Sequence, residues 1–172
     1  MAPRAGHDRR TLVLVRHAKS SWDEPSLPDH DRPLARRGQK ALPRMRDHLE
    51  RLRIHPDVVL CSSAARTRQT LDGIRAALGK GADIEIEDDL YAADAEDLLA
   101  RLRRLGDDVN SALVVGHNPG LADLADVLTG NEGAPDAVPT GAIAVLSLNT
   151  RWSDLASATA SLDSFWQPRP PR

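Results

Sequence analysis

The sequence predicts an α/β three-layer sandwich built on a mostly parallel sheet, and two observations carry that prediction. Short apolar runs at Thr11–Val15, Asp57–Cys61 and Ala112–Val115 alternate with stretches whose leucines recur at helical spacing. The runs show no polar alternation, as expected of strands covered on both faces by helices. At 172 residues the chain fits one domain, large enough to bury about 70% of the surface its unfolded form exposes. We place that domain at residues 11–166, with tails at 1–10 and 167–172.

Taken in order, Thr11–Val15 is the first strand, and it stops abruptly at Arg16 and His17. The span from Ser20 to Pro33 holds Pro25, Pro28 and Pro33, so it reads as a long loop beside the strand end. Long ordered loops in compact domains tend to be functional, and Trp22 and Arg32 are placed to reach a ligand or, for Trp22, to pin the loop to the core. Leu42, Met45, Leu49 and Leu52 then mark a helix. It begins either near Ala35, with Pro43 inside it, or at Pro43 as first helical residue. Asp57–Cys61 is the second strand. Ser62 or Ser63 offers an N-cap for a helix carrying Leu71, Ile74 and Leu78, which puts Arg66 in its first turn. Ile84–Ile86 is a weak third strand, and Asp94 or Ala95 opens a helix through Leu98, Leu102 and Leu105. Ala112–Val115 ends in Gly116-His117, with Asn118 as N-cap and Pro119 as first residue of a helix bearing Leu121, Leu124 and Leu128. Ala142–Leu148 is a further strand, and Ala158–Leu162 is its antiparallel neighbour.

Composition excludes several classes of function. A net charge of −2, with 23 basic and 25 acidic residues, leaves no basic footprint for nucleic acid. Aromatics make up 3% of the chain, too few for base-stacking platforms. One cysteine, Cys61, rules out an internal disulfide and any multi-cysteine metal site. No apolar run approaches the roughly 20 residues of a membrane span. We therefore expect a soluble, cytoplasmic protein, and the sequence leaves its oligomeric state open.

The chemistry concentrates where strands end. Open α/β sheets bind ligands in the crevice beyond the carboxyl ends of their strands. Arg16 and His17 join a phosphate-forking guanidinium to an imidazole able to attack or shuttle a proton. Arg66 adds a cation to a helix N-terminus, where free N–H groups already favour anions. His117 repeats the setting of His17. Each taken singly has a plain structural reading, a solvated arginine or a turn histidine; two histidines in equivalent settings are harder to dismiss.

Arg16-His17, Arg66 after a serine turn and Gly116-His117, in that order, resemble the histidine phosphatase superfamily, and within it the small SixA-type phosphohistidine phosphatases. Arg32-Pro-Leu-Ala-Arg-Arg-Gly38, Ser62–Thr70, Gly116–Gly120 and Pro139–Ile143 support the likeness, which spans Thr11 to Trp166. The resemblance implies a phosphoglycerate mutase-like fold. It also implies a phosphatase with His17 as nucleophile, Arg16 and Arg66 as phosphoryl-binding arginines and His117 as second phosphoryl-contacting histidine. It implies no metal and no cofactor, and a phosphorylated substrate, a phosphoprotein first.

Two departures from the family pattern bear on mechanism. The usual glycine after the first histidine is Ala18, which is harmless provided the position needs no positive φ. No general acid aligns: Asp23, Glu24, Asp88, Asp89 and Asp94 are the candidates, each with a plain reading as a surface charge. A site lacking a placed acid favours phosphohistidine, whose imidazole leaves easily, over an alkyl phosphate, whose alkoxide needs a proton. Two alternatives stay open: a small-metabolite phosphomonoesterase, which an acid would favour, and a non-catalytic phosphate-binding module.

Overall fold

The computed structural model describes residues 9–169. In chain order its regular elements are β1 (Arg10–Arg16), α1 (Arg36–Leu52), β2 (Val58–Ser62), α2 (Ala65–Ile74), β3 (Asp83–Glu87), α3 (Ala95–Arg103), β4 (Ser111–Gly116), α4 (Gly120–Thr129), β5 (Ile143–Leu148) and β6 (Ala160–Trp166). The strands form a single sheet in the order β3-β2-β4-β1-β5-β6. β1 to β4 run parallel, β5 lies antiparallel to β1, and β6 lies antiparallel to β5. This is the expected three-layer α/β/α sandwich with a mostly parallel sheet.

The two-residue period of a strand assigns its side chains to opposite layers. Val13 and Val15 of β1 join Val59, Leu113 and Val115 against Met45 and Leu49 of α1 and Leu71 and Ile74 of α2. Leu12 and Leu14 face the other way, with Leu60, Ala112 and Val114, onto Leu98, Leu99 and Leu102 of α3 and Leu121, Leu124 and Leu128 of α4. Trp152 closes that second layer, fully buried, its indole N–H donating to the Val109 carbonyl at 2.8 Å. Each fully buried Leu or Val contributes about 1.5–3 kcal/mol relative to exposure. Both layers therefore hold the sheet in place beneath the loops at its carboxyl edge. β3 is an outer strand, and its Asp-Ile-Glu-Ile-Glu sequence guards the edge with charge.

Several boundaries differ from the sequence reading. β1 begins one residue earlier, at Arg10, which is buried and donates to the carbonyls of Thr150 and Asp107. The rest of the proposed amino-terminal tail lies outside the described residues except Arg9, as do residues 170–172 of the carboxyl-terminal one. α1 runs from Arg36 through Pro43 without a break. The missing proline N–H orphans the carbonyl of exposed Gln39, which solvent can satisfy. Neither Ser62 nor Ser63 caps α2. Ala64 is the flanking residue, Ser62 still belongs to β2, and the Thr67 hydroxyl donates back to the carbonyls of Ser62 and Ala64. α4 starts at Gly120 with Pro119 outside it, and Asn118 spends its side-chain amide on the Val138 carbonyl. α3 is capped as its sequence suggests, by Asp94 in a reciprocal box with Asp97. β6 extends to Trp166, well past the expected Leu162. No helix among the described residues is long and apolar enough to cross a membrane.

The loop from His17 to Ala35 is tied to α1 at one tight point. Gly38 lies against the backbone of Lys19, whose carbonyl also accepts from the Ala35 amide at 2.8 Å. A Cβ at position 38 would stand 2.2 Å from the Lys19 oxygen. Gly38→Ala is expected to destabilise the fold by about 1–3 kcal/mol, as overpacking does, read as a lowered midpoint in urea. An unchanged midpoint would show that the Lys19 backbone yields freely.

Candidate active site

The site is assembled by strand register. In the parallel β1–β4 ladder Arg16 pairs with Gly116, so the next residue of each strand is a histidine and the two leave the sheet side by side. The His17 amide donates to the Gly116 carbonyl at 3.2 Å, and the imidazole centroids are 5.3 Å apart. β2 pairs with β4 on its other flank, Cys61 opposite Val115. That brings Ser62 beside His117 and leads within four residues to Arg66 in the first turn of α2. All four sequence-predicted residues thus meet at the carboxyl edge of β1, β4 and β2.

The histidines are held in defined orientations. His17 is 6% exposed, and its Nδ1 lies 2.7 Å from the carbonyl of Ala18. A carbonyl accepts only, so Nδ1 carries the proton and Nε2 carries the lone pair. Ala18 itself is fully buried, does not adopt positive φ, and donates its amide to Thr70 Oγ1 at 3.0 Å. An alanine is therefore unstrained here, as anticipated. His117 Nε2 lies 2.7 Å from Ser62 Oγ, while its Nδ1 is buried with no hydrogen-bond partner among the described residues. Arg16 is anchored by NH1 to the Val138 carbonyl at 3.0 Å, and its Nε is likewise buried and unpartnered. Buried polar atoms are costly when left unsatisfied, and these two belong to the side chains best suited to an oxyanion.

Burial and positive charge together suppress protonation. Desolvation first, then Arg66, Arg16 and Arg32, pull His17 down to about 4, against an opposing effect of the Ala18 carbonyl. Desolvation, the neighbouring His17 and Arg66 pull His117 to about 3, while Asp29 works the other way. Burial, with Arg66 alongside, also lowers Arg16 from its ordinary value. Burial pushes the Cys61 thiol up to about 12, so this neighbouring sulfur is no thiolate nucleophile at neutral pH.

A set of residues missed in the sequence closes the site from the loop side. Asp29, in a 3-10 turn of the His17–Ala35 loop, takes Arg66 twice: its carbonyl accepts from NH1 at 2.8 Å and its carboxylate from NH2 at 3.0 Å. The same carboxylate accepts from Arg32 NH1 at 2.8 Å and from the Tyr91 hydroxyl. The Tyr91 bond first, then Arg32 and Arg66, hold the Asp29 carboxyl well below the usual range despite some desolvation, and Asp29 in turn raises Tyr91. Tyr91 stands edge-on to both His117 and His30, at centroid distances of 5.6 and 4.8 Å, and His30 Nε2 reaches Ser63 Oγ at 2.9 Å. Arg32 builds the loop instead of facing a ligand, bonding Ser20, Ser21 and Asp29 beneath the ring of Trp22. Trp22 is 67% exposed, so it does not pin the loop to the core.

The five candidate acids lie elsewhere. Asp23 and Glu24 line a separate hollow between the loop and the start of α1. Asp88 and Asp89 surround another with Glu87, Arg101 and Arg104, and Asp94 is the cap of α3. Asp29, the carboxylate beside Arg66, is not among those five, and its contact with Arg66 spans 37 residues of sequence.

The chain resembles known proteins over most of its length. An uncharacterized protein of Mycobacterium tuberculosis is 38% identical over 163 residues, covering 90% of this chain and all of its own. A candidate phosphohistidine phosphatase SixA from Nakamurella multipartitia superposes with a TM-score of 0.79 at 36% identity, covering 93% of this chain and 96% of its own. The protein histidine phosphatase SixA complexed with tungstate gives 0.76 at 25%, covering 90% and 95%. The model of the histidine phosphatase superfamily (branch 1) matches residues 12–118. That span opens in β1 and closes one residue past His117, so it holds Arg16, His17, Arg66 and His117 together, and the chain belongs to the histidine phosphatase superfamily.

Proposed function

We propose that this protein is a metal-independent phosphatase that acts on phosphohistidine in a protein substrate through a phosphohistidine of its own on His17. The observation that carries the reading is the tautomer of His17. With Nδ1–H committed to the Ala18 carbonyl, Nε2 is the ring's nucleophilic position. Its lone pair attacks phosphorus, the bond from phosphorus to the substrate imidazole breaks, and that imidazole departs with the proton it already carries. As Nε2 bonds to phosphorus the His17 ring becomes formally cationic, and the Ala18 carbonyl stabilises the charge. Water then attacks phosphorus, Nε2 leaves with its electron pair, and inorganic phosphate and neutral His17 are restored. Nucleophile and leaving group are the same chemical group, so the first transfer needs no strong acid. Arg16, Arg66 and His117 stabilise the charge spread over the phosphoryl oxygens.

The state of Asp29 favours this substrate class. An alkoxide leaving group needs a proton from a general acid, and Asp29, the carboxylate at the site, is kept ionised by Tyr91, Arg32 and Arg66. A second reading, a metabolite phosphomonoesterase, draws on the same contact: a phenol and a carboxylate stand hydrogen-bonded at the mouth of the site and would relay a proton to an alkyl leaving group.

His17→Ala is expected to abolish turnover with the fold retained, and Arg66→Ala to cost about 10²–10³ in rate, as for loss of one transition-state donor. Rapid quenching should trap an acid-labile, base-stable phosphate on His17, and EDTA should leave the rate unchanged. Label on another residue, or wild-type rates in His17→Ala, would remove the nucleophile assignment.

The depressed histidines give a pH test. Between about pH 6.5 and 4 the unfolded chain, whose histidines titrate normally, binds more protons than the native one, so stability falls as pH drops through that window. Imidazole NMR of the free protein should show both rings neutral at pH 5. A midpoint at 6 or above for His17 would contradict the electrostatics described.

The two substrate readings separate on leaving groups. Phosphohistidine and aryl phosphates should be cleaved well and phosphoserine or sugar phosphates poorly. Neutralising Asp23, Glu24, Asp29, Asp88, Asp89 or Asp94 singly should cost phosphohistidine turnover less than tenfold, about 1.4 kcal/mol of barrier. If Asp29→Asn or Tyr91→Phe instead loses 10²-fold or more on alkyl substrates while sparing aryl ones, on the order expected of general acid catalysis, the metabolite reading replaces the phosphoprotein one.

A further inference from the structure

Beside the crevice runs a groove of about 300 Å³ between the first turns of α1, the Pro139-Thr140 turn and the chain leaving β6. Its charged lining is Lys19, Arg37, Arg44 and Arg169, with no carboxylate among the lining residues. None of the four forms an ion pair among the described residues. Arg44 donates to the main-chain oxygen of Arg169, a neutral acceptor that leaves its charge uncompensated. The groove is joined to the catalytic backbone at two points. Lys19 follows His17 by two residues, and the amide of Gly141, next to Thr140, donates to the carbonyls of both Arg16 and His17, at 3.2 and 2.9 Å.

The start of α1 is also charged against its own dipole. Acidic side chains are the stabilising choice in a first helical turn, and α3 follows that rule with Glu96 and Asp97. α1 has no acid in its first turn and opens with Arg36 and Arg37. Cations there oppose the helix dipole, a cost that an anionic partner would offset. The floor between them is small and apolar, with Gly38, Ala41 and Pro168, a surface suited to an extended chain more than to a compact polyanion.

We infer that this groove docks acidic residues flanking the phosphorylated residue of a protein substrate, Lys19, Arg37 and Arg44 pairing with their carboxylates. The inference rests on the phosphoprotein reading of the site and adds a source of selectivity outside it. The probes are two synthetic phosphohistidine peptides of one sequence, flanked by three Glu or by three Gln, with p-nitrophenyl phosphate as the small substrate. Exposed pairings are each worth roughly a factor of two to five, so kcat/KM should favour the Glu peptide by about tenfold or more at low salt. The preference should vanish near 0.5 M NaCl, where screening acts within about 5 Å.

In the triple variant Lys19→Glu, Arg37→Glu, Arg44→Glu the preference should disappear or invert, with p-nitrophenyl phosphate hydrolysis within twofold of wild type. Arg37→Glu alone should weaken the preference while raising the thermal midpoint, since it corrects the helix dipole; that separates lost docking from lost fold. Equal kcat/KM for both peptides, or a preference that survives in the triple variant, overturns the groove and leaves the phosphoprotein reading standing. Cleavage of the aryl phosphate but of neither peptide overturns both. A bisphosphorylated diol that competes in wild type but not in the triple variant, with no peptide preference, assigns the groove to a second phosphate and also overturns the proposal.

Discussion

The active-site constellation depends on the register of β1 against β4. Because Arg16 lies opposite Gly116, the histidines that follow emerge as neighbours and share one desolvated crevice. A slip by one residue would send every β1 side chain to the opposite layer, setting Leu12 and Leu14 among the partners of Val13 and Val15. The two apolar layers therefore do more than stabilise the sheet. They fix its register, and register fixes the 5.3 Å separation of the imidazoles. Packing and chemistry are linked by that one ladder.

The second constraint is electrostatic. Arg16 and Arg66 act on both imidazoles and Arg32 on the buried His17 alone, and the imidazoles yield by staying neutral. That outcome suits nucleophilic attack, because a protonated ring has no lone pair to offer. Arg66 and Arg32 take their counter-charge from Asp29, which reaches them from the loop after β1. The 3-10 turn carrying Asp29 buries none of its residues, and Trp22 nearby is exposed. The ends of the loop are fixed by buried Ala18 and Leu34 and the Ser20–Leu34 bridge, while its middle is held by hydrogen bonds and ion pairs to Arg32 and Arg66.

How much of this was legible follows from the range of the interactions. The strands and the ends that carry Arg16, His17 and His117 were readable because apolar runs and their abrupt polar stops are local features. Arg66 was readable because a serine turn and helical spacing surround it, although the cap itself was misplaced: Ser62 is drawn into β2 by its pairing and faces His117. Asn118 was misread for a similar reason, its amide being taken by Val138, twenty residues on. Asp29 and Tyr91 escaped because their roles exist only across 37 and 62 residues of sequence. Nothing in the local pattern separates Asp29 from Asp23 or Asp31; contact with Arg66 does.

The same distinction explains why the fold does not settle the substrate. The residues proposed to bind phosphate, Arg16, His17, Arg66 and His117, lie on strand ends and the first turn of α2, rigid elements backed by the core. What would discriminate among leaving groups lies on the loop and at the groove margin, where exposed charges are individually worth little. Asp29 sits between these regimes. It touches Arg66, which is 8% exposed, yet its own side chain is half exposed to water. A phosphoryl dianion approaching Arg66 meets a guanidinium whose two terminal nitrogens are already bonded to Asp29. It must share that arginine or displace the loop carboxylate, and either change falls on a turn with no buried residue to hold it. Binding in the crevice and order in the loop are thus coupled through one ion pair.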